Sequence, residues 1–360
     1  MTTVWERGEM MFDSKPDMDN PVSVVIPAYN AAATIAETLR SVLAQTHRNL
    51  DIVVVDDGST DGTWDVLQSF GSAIRAIRQP NSGIGIARNT GVTAARGEYI
   101  ALLDADDLCE PERIAIELHY LLNHPDILLC SSDFSGFDQS GPLEASYCGI
   151  YYTRCSPAQG GARARYPEHG KLDIASCLLP PSVEPVLVPI HSGRVYEELS
   201  MGNFVHPPTV MFRREALDRA GLFDPAIKIA CEWEWFVRVA RVGRLGYIDR
   251  PLLRYRRSAT QISSDPRTAL DSLAVAYKIH AIDPGLERRA PTQTRRHLGA
   301  LNLSAADAVI EVSRMRALGL LLKSLFVYRV FKARSPRVLF KIVLPRTFLS
   351  KLRRLRTSSA

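Results

Sequence analysis

No run of 18 apolar residues occurs in this 360-residue chain, so a membrane-spanning helix is not expected. Cysteine is sparse: Cys109, Cys130, Cys148, Cys155, Cys177 and Cys231 are scattered, with no CxxC pair. That excludes a zinc-knuckle pattern and points to reduced, buried thiols in a cytoplasmic chain. The first 20 residues are polar and mixed in charge, without the basic start and apolar core of a secretory signal. No fixed-period repeat is visible. With 46% hydrophobic and 23% charged residues, wholesale disorder, collagen and coiled coil are excluded. The length implies about two domains.

Acidic residues are missing from one end. Residues 313–360 hold 13 of the 44 Lys and Arg and no acid, so residues 1–312 carry 31 basic against 39 acidic residues, a net charge of −8. Body and tail therefore meet different partners.

Residues 22–133 alternate strand and helix. Val22–Pro27, Asp51–Val55, Ile74–Arg78, Tyr99–Leu103 and Ile127–Cys130 read as strands, apolar throughout as in a sheet covered on both faces. Thr34 with Glu37 forms a capping-box pattern ahead of Ile35, Leu39, Val42 and Leu43. Five strands spaced by helices predict a parallel sheet with right-handed crossovers. From Asp138 to Pro208 the pattern dissolves into Gly, Pro, Tyr and Arg, and order returns at Thr209–Phe212. Helices are expected over Arg214–Ala220, around Glu232–Val242 and through 266–312.

Two predicted strands end in acids: Asp56-Asp57-Gly58-Ser59 and Asp104-Ala105-Asp106-Asp107. Ligands of an open parallel sheet bind beyond such strand ends. Clustered carboxylates repel one another, and a divalent cation with a preference for hard oxygen, Mg²⁺ or Mn²⁺, relieves that repulsion. Turn chemistry alone also favours Asp and Gly, but two acidic ends in one sheet exceed it. Gly83-Ile84-Gly85-Ile86-Ala87-Arg88 resembles half of a dinucleotide fingerprint. Its third glycine is replaced by Arg88 and it follows the wrong strand, so a Rossmann dehydrogenase is set aside. The two glycines instead suit a tight loop entering a helix whose N-terminus faces phosphate.

Taken together these residues resemble family 2 glycosyltransferases of the GT-A fold. The likeness rests on Val24-Val25-Ile26-Pro27-Ala28-Tyr29-Asn30, Val54-Val55-Asp56-Asp57-Gly58-Ser59-Thr60-Asp61, Asn81-Ser82-Gly83 with Ala87-Arg88-Asn89, and Gly97-Glu98-Tyr99-Ile100 leading to Leu103–Asp107. It continues through Gly221-Leu222-Phe223-Asp224, Glu232-Trp233-Glu234, Arg254-Tyr255-Arg256-Arg257 and Gln261-Ile262-Ser263. The resemblance implies an α/β fold: a mostly parallel nucleotide-binding sheet flanked by helices, with a C-terminal helical extension. It implies a metal-dependent inverting transferase that moves a sugar from a nucleotide-sugar, UDP-linked in most relatives, to a saccharide or lipid-linked saccharide. Pro27, Tyr29 and Asp57 would line the base and ribose pocket, and Arg88 joins the donor-binding set. Asp104 and Asp106 form the DxD pair, with Asp106 the direct ligand of Mn²⁺ or Mg²⁺ and Asp104 nearer the ribose. Glu232 would be the catalytic base.

Two departures stand out. The family's acid pair, usually Glu-Asp, is Cys231-Glu232 here, and Ser258 stands where relatives often have histidine. An inactive carbohydrate- or partner-binding module of the same fold is therefore one alternative, and a nucleotidyltransferase another. Arg256 or Arg257 either closes over the diphosphate or is a surface residue. Trp233 and Trp235 fit the core better than a sugar platform, and His206 fits a structural role better than the acceptor cleft.

The expected organisation is a flexible N-terminus (1–20), a donor-binding half (21–133), an acceptor half with the base (134–264), a helical extension (265–312) and a basic amphipathic tail (313–360). In the tail apolar and basic residues interleave, as in Val338-Leu339-Phe340-Lys341-Ile342-Val343-Leu344 and Lys351-Leu352-Arg353-Arg354-Leu355-Arg356. That suits an anionic membrane surface better than intramolecular packing, and nucleic acid is not expected. The implied location is cytoplasmic, peripheral on the inner face of the membrane.

Overall fold

The computed structural model describes residues 19–258 and 267–344; Gln261-Ile262-Ser263 and the basic run beyond 344 lie outside the described residues. The chain divides into two compact units, residues 1–259 and 260–360.

The first unit begins with β1 (Val22–Ala28), α1 (Ile35–Leu43), β2 (Leu50–Asp56), α2 (Thr63–Ser69), β3 (Arg75–Arg78), α3 (Ile84–Ala94), β4 (Tyr99–Leu102), β5 (Leu108–Cys109) and α4 (Arg113–Asn123). It continues with β6 (Ile127–Asp138), β7 (Gly141–Pro142), α5 (Cys148–Tyr151), β8 (Glu168–Asp173), β9 (Leu187–Gly193), α6 (Tyr196–Ser200), β10 (Met211–Arg213), α7 (Glu215–Ala220), α8 (Cys231–Val242) and β11 (Arg244–Arg256). The main path of the sheet runs β3-β2-β1-β4-β10-β6-β11-β9-β8. Strands β3, β2, β1 and β4 are mutually parallel, and every residue of β1 is buried, as a strand covered on both faces requires.

The sheet departs from five consecutive parallel strands. The short β10 inserts antiparallel between β4 and β6, separating the fifth strand from the parallel block. β6 then pairs in parallel with β11. The stretch expected to be irregular contains β8 and β9, an antiparallel pair at the sheet edge. Only Leu172 of β8 is buried, so no apolar pattern marked that strand. All six cysteines are free and buried, consistent with small core side chains.

The second unit is helical: α9 (Arg267–Ile282), α10 (Gly285–Arg289), α11 (Pro291–Val309), α12 (Arg314–Leu322), a π-helical turn over Lys323–Val327, and α13 (Arg334–Val343). Leu303, Ala306, Val309, Ile310, Ala317, Leu321, Val338 and Ile342 form its own core. Among the described residues no helix is long and apolar enough to cross a membrane.

Candidate active site

The ends of β1 and β2 are laced together. The amides of Asn30 and Ala31 donate to the Ser59 and Thr63 hydroxyls at 2.9 and 2.8 Å, and Thr60 N–H donates to Asn30 Oδ1 at 2.9 Å. Pro27 is buried within β1, whereas Tyr29, just past its end, is 52% exposed. Asp57 is buried and accepts three bonds from one loop: Gln79 Nε2 at 2.8 Å, Ser82 N at 2.9 Å and Gly83 N at 2.8 Å. Its carboxylate thus shapes the loop that enters α3. Gly58 has φ +74, and a Cβ there would sit 2.6 Å from Asn81 N, so this crossing of two loops demands glycine.

The Asp104–Asp107 turn is clasped from two sides. Thr34 and Thr38 donate their hydroxyls to the Ala105 carbonyl at 2.9 and 3.1 Å. The capping box expected at Thr34 does not form: its side chain makes no cap bond, the Glu37 amide donates to the Thr34 carbonyl at 2.9 Å, and the hydroxyl turns to the Ala105 carbonyl. Glu37, the other half of that pattern, accepts Arg256 Nη2 at 2.6 Å. Arg256 also donates Nε to the Asp106 carbonyl and its amide N to Asp107 Oδ1, both at 2.8 Å. Arg256 is therefore a strut of the acidic turn, while Arg257 pairs with Asp138 at 3.1 Å.

Arg88 joins the two halves of the site. Its side chain, only 1% exposed, lies on α3 and donates Nη2 to Asp104 Oδ1 at 2.7 Å and Nη1 to Glu232 Oε1. Asp104 and Glu232, 128 positions apart in the sequence, thus share one guanidinium. Burial still pushes the Asp104 carboxyl above its ordinary range: Arg88 opposes the shift, and Glu232 adds to it. Burial, reinforced by Asp104, pushes Asp106 up to about 6. Asp107 is driven upward by burial and by its two acidic neighbours. Replacing Arg88 with Met leaves two largely buried carboxylates without their counter-ion, a loss of about 3 kcal/mol. The melting temperature should fall by roughly 6–12 °C. An unchanged melting curve would show that solvent balances these acids instead.

Glu232 lies in the first turn of α8, entered through Ala230 in the left-handed region at φ +62. Cys231, the position at which the family usually carries an acid, is fully buried. A Cβ added at Gly85 would lie 3.2 Å from its Sγ. Position 231 thus packs against the start of α3. Glu234 forms an ion pair with Arg238 at 2.9 Å. Trp233 and Trp235 are buried, their indoles donating to the Leu199 and Gly221 carbonyls at 2.8 and 2.7 Å, which is core packing.

The 138–208 stretch adds Tyr152, which the sequence did not single out, beside His206, which it read as structural. Tyr152 donates its hydroxyl to the Val205 carbonyl and meets His206 Nδ1, both at 3.2 Å. Burial raises its phenol strongly, reinforced by Tyr151, Cys148, Tyr255 and, least, Glu232. His206 stacks on Phe134 at 3.9 Å, and burial lowers its imidazole to about 3, so it is neutral. No sequence periodicity signalled this aromatic nest.

The acidic turn suits a divalent cation. Its donors are hard carboxylate oxygens, and Asp107 Oδ2 is buried without a hydrogen-bond partner. Among the described residues no three His, Cys, Asp or Glu side chains form an all-protein cage. Mg²⁺-type sites instead usually use one or two carboxylates together with substrate phosphates.

The profile of Glycosyl transferase family 2 matches residues 23–164. An uncharacterised glycosyltransferase of Rickettsia typhi is 30% identical over 254 residues, 70% of this chain and 68% of that protein. The putative teichuronic acid biosynthesis glycosyltransferase TuaG of Bacillus subtilis is 37% identical over 120 residues, 32% of this chain and 46% of its own. Among solved structures, the mannosyltransferase PcManGT from Pyrobaculum calidifontis, in complex with GDP-Man and Mn²⁺, superposes with a TM-score of 0.53 at 19% identity. The match covers 92% of this chain and 89% of that one. S. aureus TarS 1–349 in complex with UDP-GlcNAc gives 0.52 at 17% identity, covering 86% and 89%. At these identities the likeness shows the fold, an α/β sheet flanked by helices of the GT-A type.

Proposed function

Because the chain belongs to glycosyltransferase family 2, its site serves a sugar-transferring enzyme, and we propose the following chemistry for it. The donor is a nucleotide-sugar, UDP-linked, and the acceptor is a hydroxyl of a saccharide or lipid-linked saccharide at the cytoplasmic face of the membrane. Residues 21–133 bind the donor and residues 134–264 the acceptor. One observation carries this reading: the Arg88 guanidinium ties Asp104 at the end of β4 to Glu232 at the start of α8. Donor acid and candidate base are thereby held at one place. The ligands of PcManGT and TarS, both nucleotide-sugars, support the donor class.

Pro27, Tyr29 and Asp57 border the space for base and ribose, with Tyr29 exposed to stack. Mn²⁺ or Mg²⁺ on Asp104 and Asp106 would neutralise the diphosphate and stabilise charge on the leaving nucleotide. Glu232 accepts the proton of the acceptor hydroxyl as its oxygen attacks the anomeric carbon. The new glycosidic bond forms on the face opposite the breaking carbon–phosphate-oxygen bond, so configuration inverts. Arg88 holds the Glu232 carboxylate at the site through that step.

The test is product analysis. Incubated with UDP- or GDP-sugars and Mn²⁺, the chain should release free nucleoside diphosphate, faster when an acceptor saccharide is present. Release of pyrophosphate from a nucleoside triphosphate, with none from nucleotide-sugars, would assign nucleotidyl transfer instead.

A further inference from the structure

The second unit carries apolar surface that its core does not use. In the turn between α12 and α13, Phe326, Val327 and Phe331 are 74%, 63% and 75% exposed. The turn is pinned rather than loose. Ser324 Oγ donates to the Gly299 carbonyl at 2.8 Å, and Val330 N–H donates to the Ser324 carbonyl at 2.9 Å. Val330 is buried over Gly299 so closely that a Cβ there would lie 2.4 Å from its Cγ2. Seating Val330 puts Arg329 in the left-handed region at φ +52, a costly conformation for a residue with a side chain. The backbone that presents Phe326 and Phe331 is thus fixed at Ser324 and Val330, between the two phenylalanines.

α13 repeats the arrangement. Ser335, Val338 and Ile342 face the core, while Pro336, Leu339, Phe340 and Val343, at helical spacing on a neighbouring stripe, are exposed. Exposed bases alternate with this apolar surface at Arg329, Lys332, Arg334 and Arg337. No acid follows Glu311 anywhere in the sequence. Protruding phenylalanines ringed by arginine and lysine match a surface that is apolar beneath and anionic on top. A nucleic-acid backbone would reward the charge but not the phenylalanines. We infer that the α12–α13 turn and the outer stripe of α13 dock this chain on an anionic lipid bilayer. The transfer chemistry proposed above is not needed for this inference; it adds the surface from which a lipid-linked acceptor would be met.

The test is flotation of the full chain with phosphatidylglycerol-containing vesicles and with pure phosphatidylcholine vesicles. The chain should float with the anionic vesicles and lose binding as salt rises. Phe326→Ser with Phe331→Ser, and separately Arg329→Gln with Lys332→Gln, should each lower the bound fraction about tenfold. Both pairs are exposed, so their melting curves should overlay that of the wild type. Nucleoside diphosphate release in solution should also be unchanged, which separates this inference from the transferase assignment. Absence from anionic vesicles, or flotation that either pair leaves undiminished, overturns the inference.

Discussion

Glu232→Gln is expected to lower the turnover number of sugar transfer by about a hundred- to ten-thousand-fold while leaving donor affinity within about threefold. Glutamine is nearly the same shape, and its amide oxygen can still accept the bond from Arg88 Nη1. What it cannot do is take the proton of an attacking hydroxyl at neutral pH. The split between turnover and binding is the informative readout. Loss of both would make Glu232 a structural partner of Arg88 alone, and loss of neither would move the base elsewhere. The replacement also tests the Cys231-Glu232 departure. Position 231 is a buried thiol packed near Gly85, which leaves Glu232 as the candidate base in this segment.

Asp106→Asn is expected to abolish metal-dependent donor binding, because a neutral amide is a poor ligand for a hard cation competing with water. It should also change stability, in the opposite sense. Burial and the Asp104 charge raise the Asp106 carboxyl from its ordinary 3.8 to about 6, so the folded chain holds this proton more tightly than the unfolded chain. The stabilising contribution is complete below about pH 3.8 and disappears as pH rises through about 6. At neutral pH the ionised carboxylate therefore opposes folding. In chelator the Asn variant should melt above the wild type at pH 7.5 or so, the gap closing in acid. For the wild type, metal-dependent donor binding should fall off below about pH 6, where the carboxyl takes up its proton. A variant that still binds UDP tightly only with Mn²⁺ removes Asp106 from the metal set.

Strands β1, β2 and β4 were legible because each is a largely apolar run, and β2 and β4 run into acidic turns. In the other half of the sheet the order at Thr209–Phe212 was legible, but the pairing of β10 and the course of β11 were not. β10 is three residues long and gains its place by antiparallel pairing with β4 and β6, which no local pattern encodes. β11 alternates arginines with apolar residues, and its partners lie more than a hundred positions upstream in β6 and more than fifty in β9. Asp104 and Asp106 could be nominated from the sequence as acids at a strand end, and Glu232 through the family resemblance. How they are held could not. Periodicity cannot report that Arg88 is buried between two acids, since arginine ordinarily marks a solvated face. The Thr34 pattern likewise pointed to a local cap, and a carbonyl 71 positions away took the hydroxyl. The packing of Tyr151 and His206 around Phe134 is likewise a tertiary effect with no sequence period.

The most direct measurement is the melting temperature of the full chain against nucleoside diphosphates and nucleotide-sugars, each with Mn²⁺ and with chelator. Saturating ligand at about a hundred times its dissociation constant adds about 2.7 kcal/mol, a shift of several degrees. A nucleotide-sugar and Mn²⁺ together should raise the melting temperature, and neither alone should do so to the same extent. Identical shifts in Mn²⁺ and in chelator, or none with any nucleotide-sugar, would contradict it.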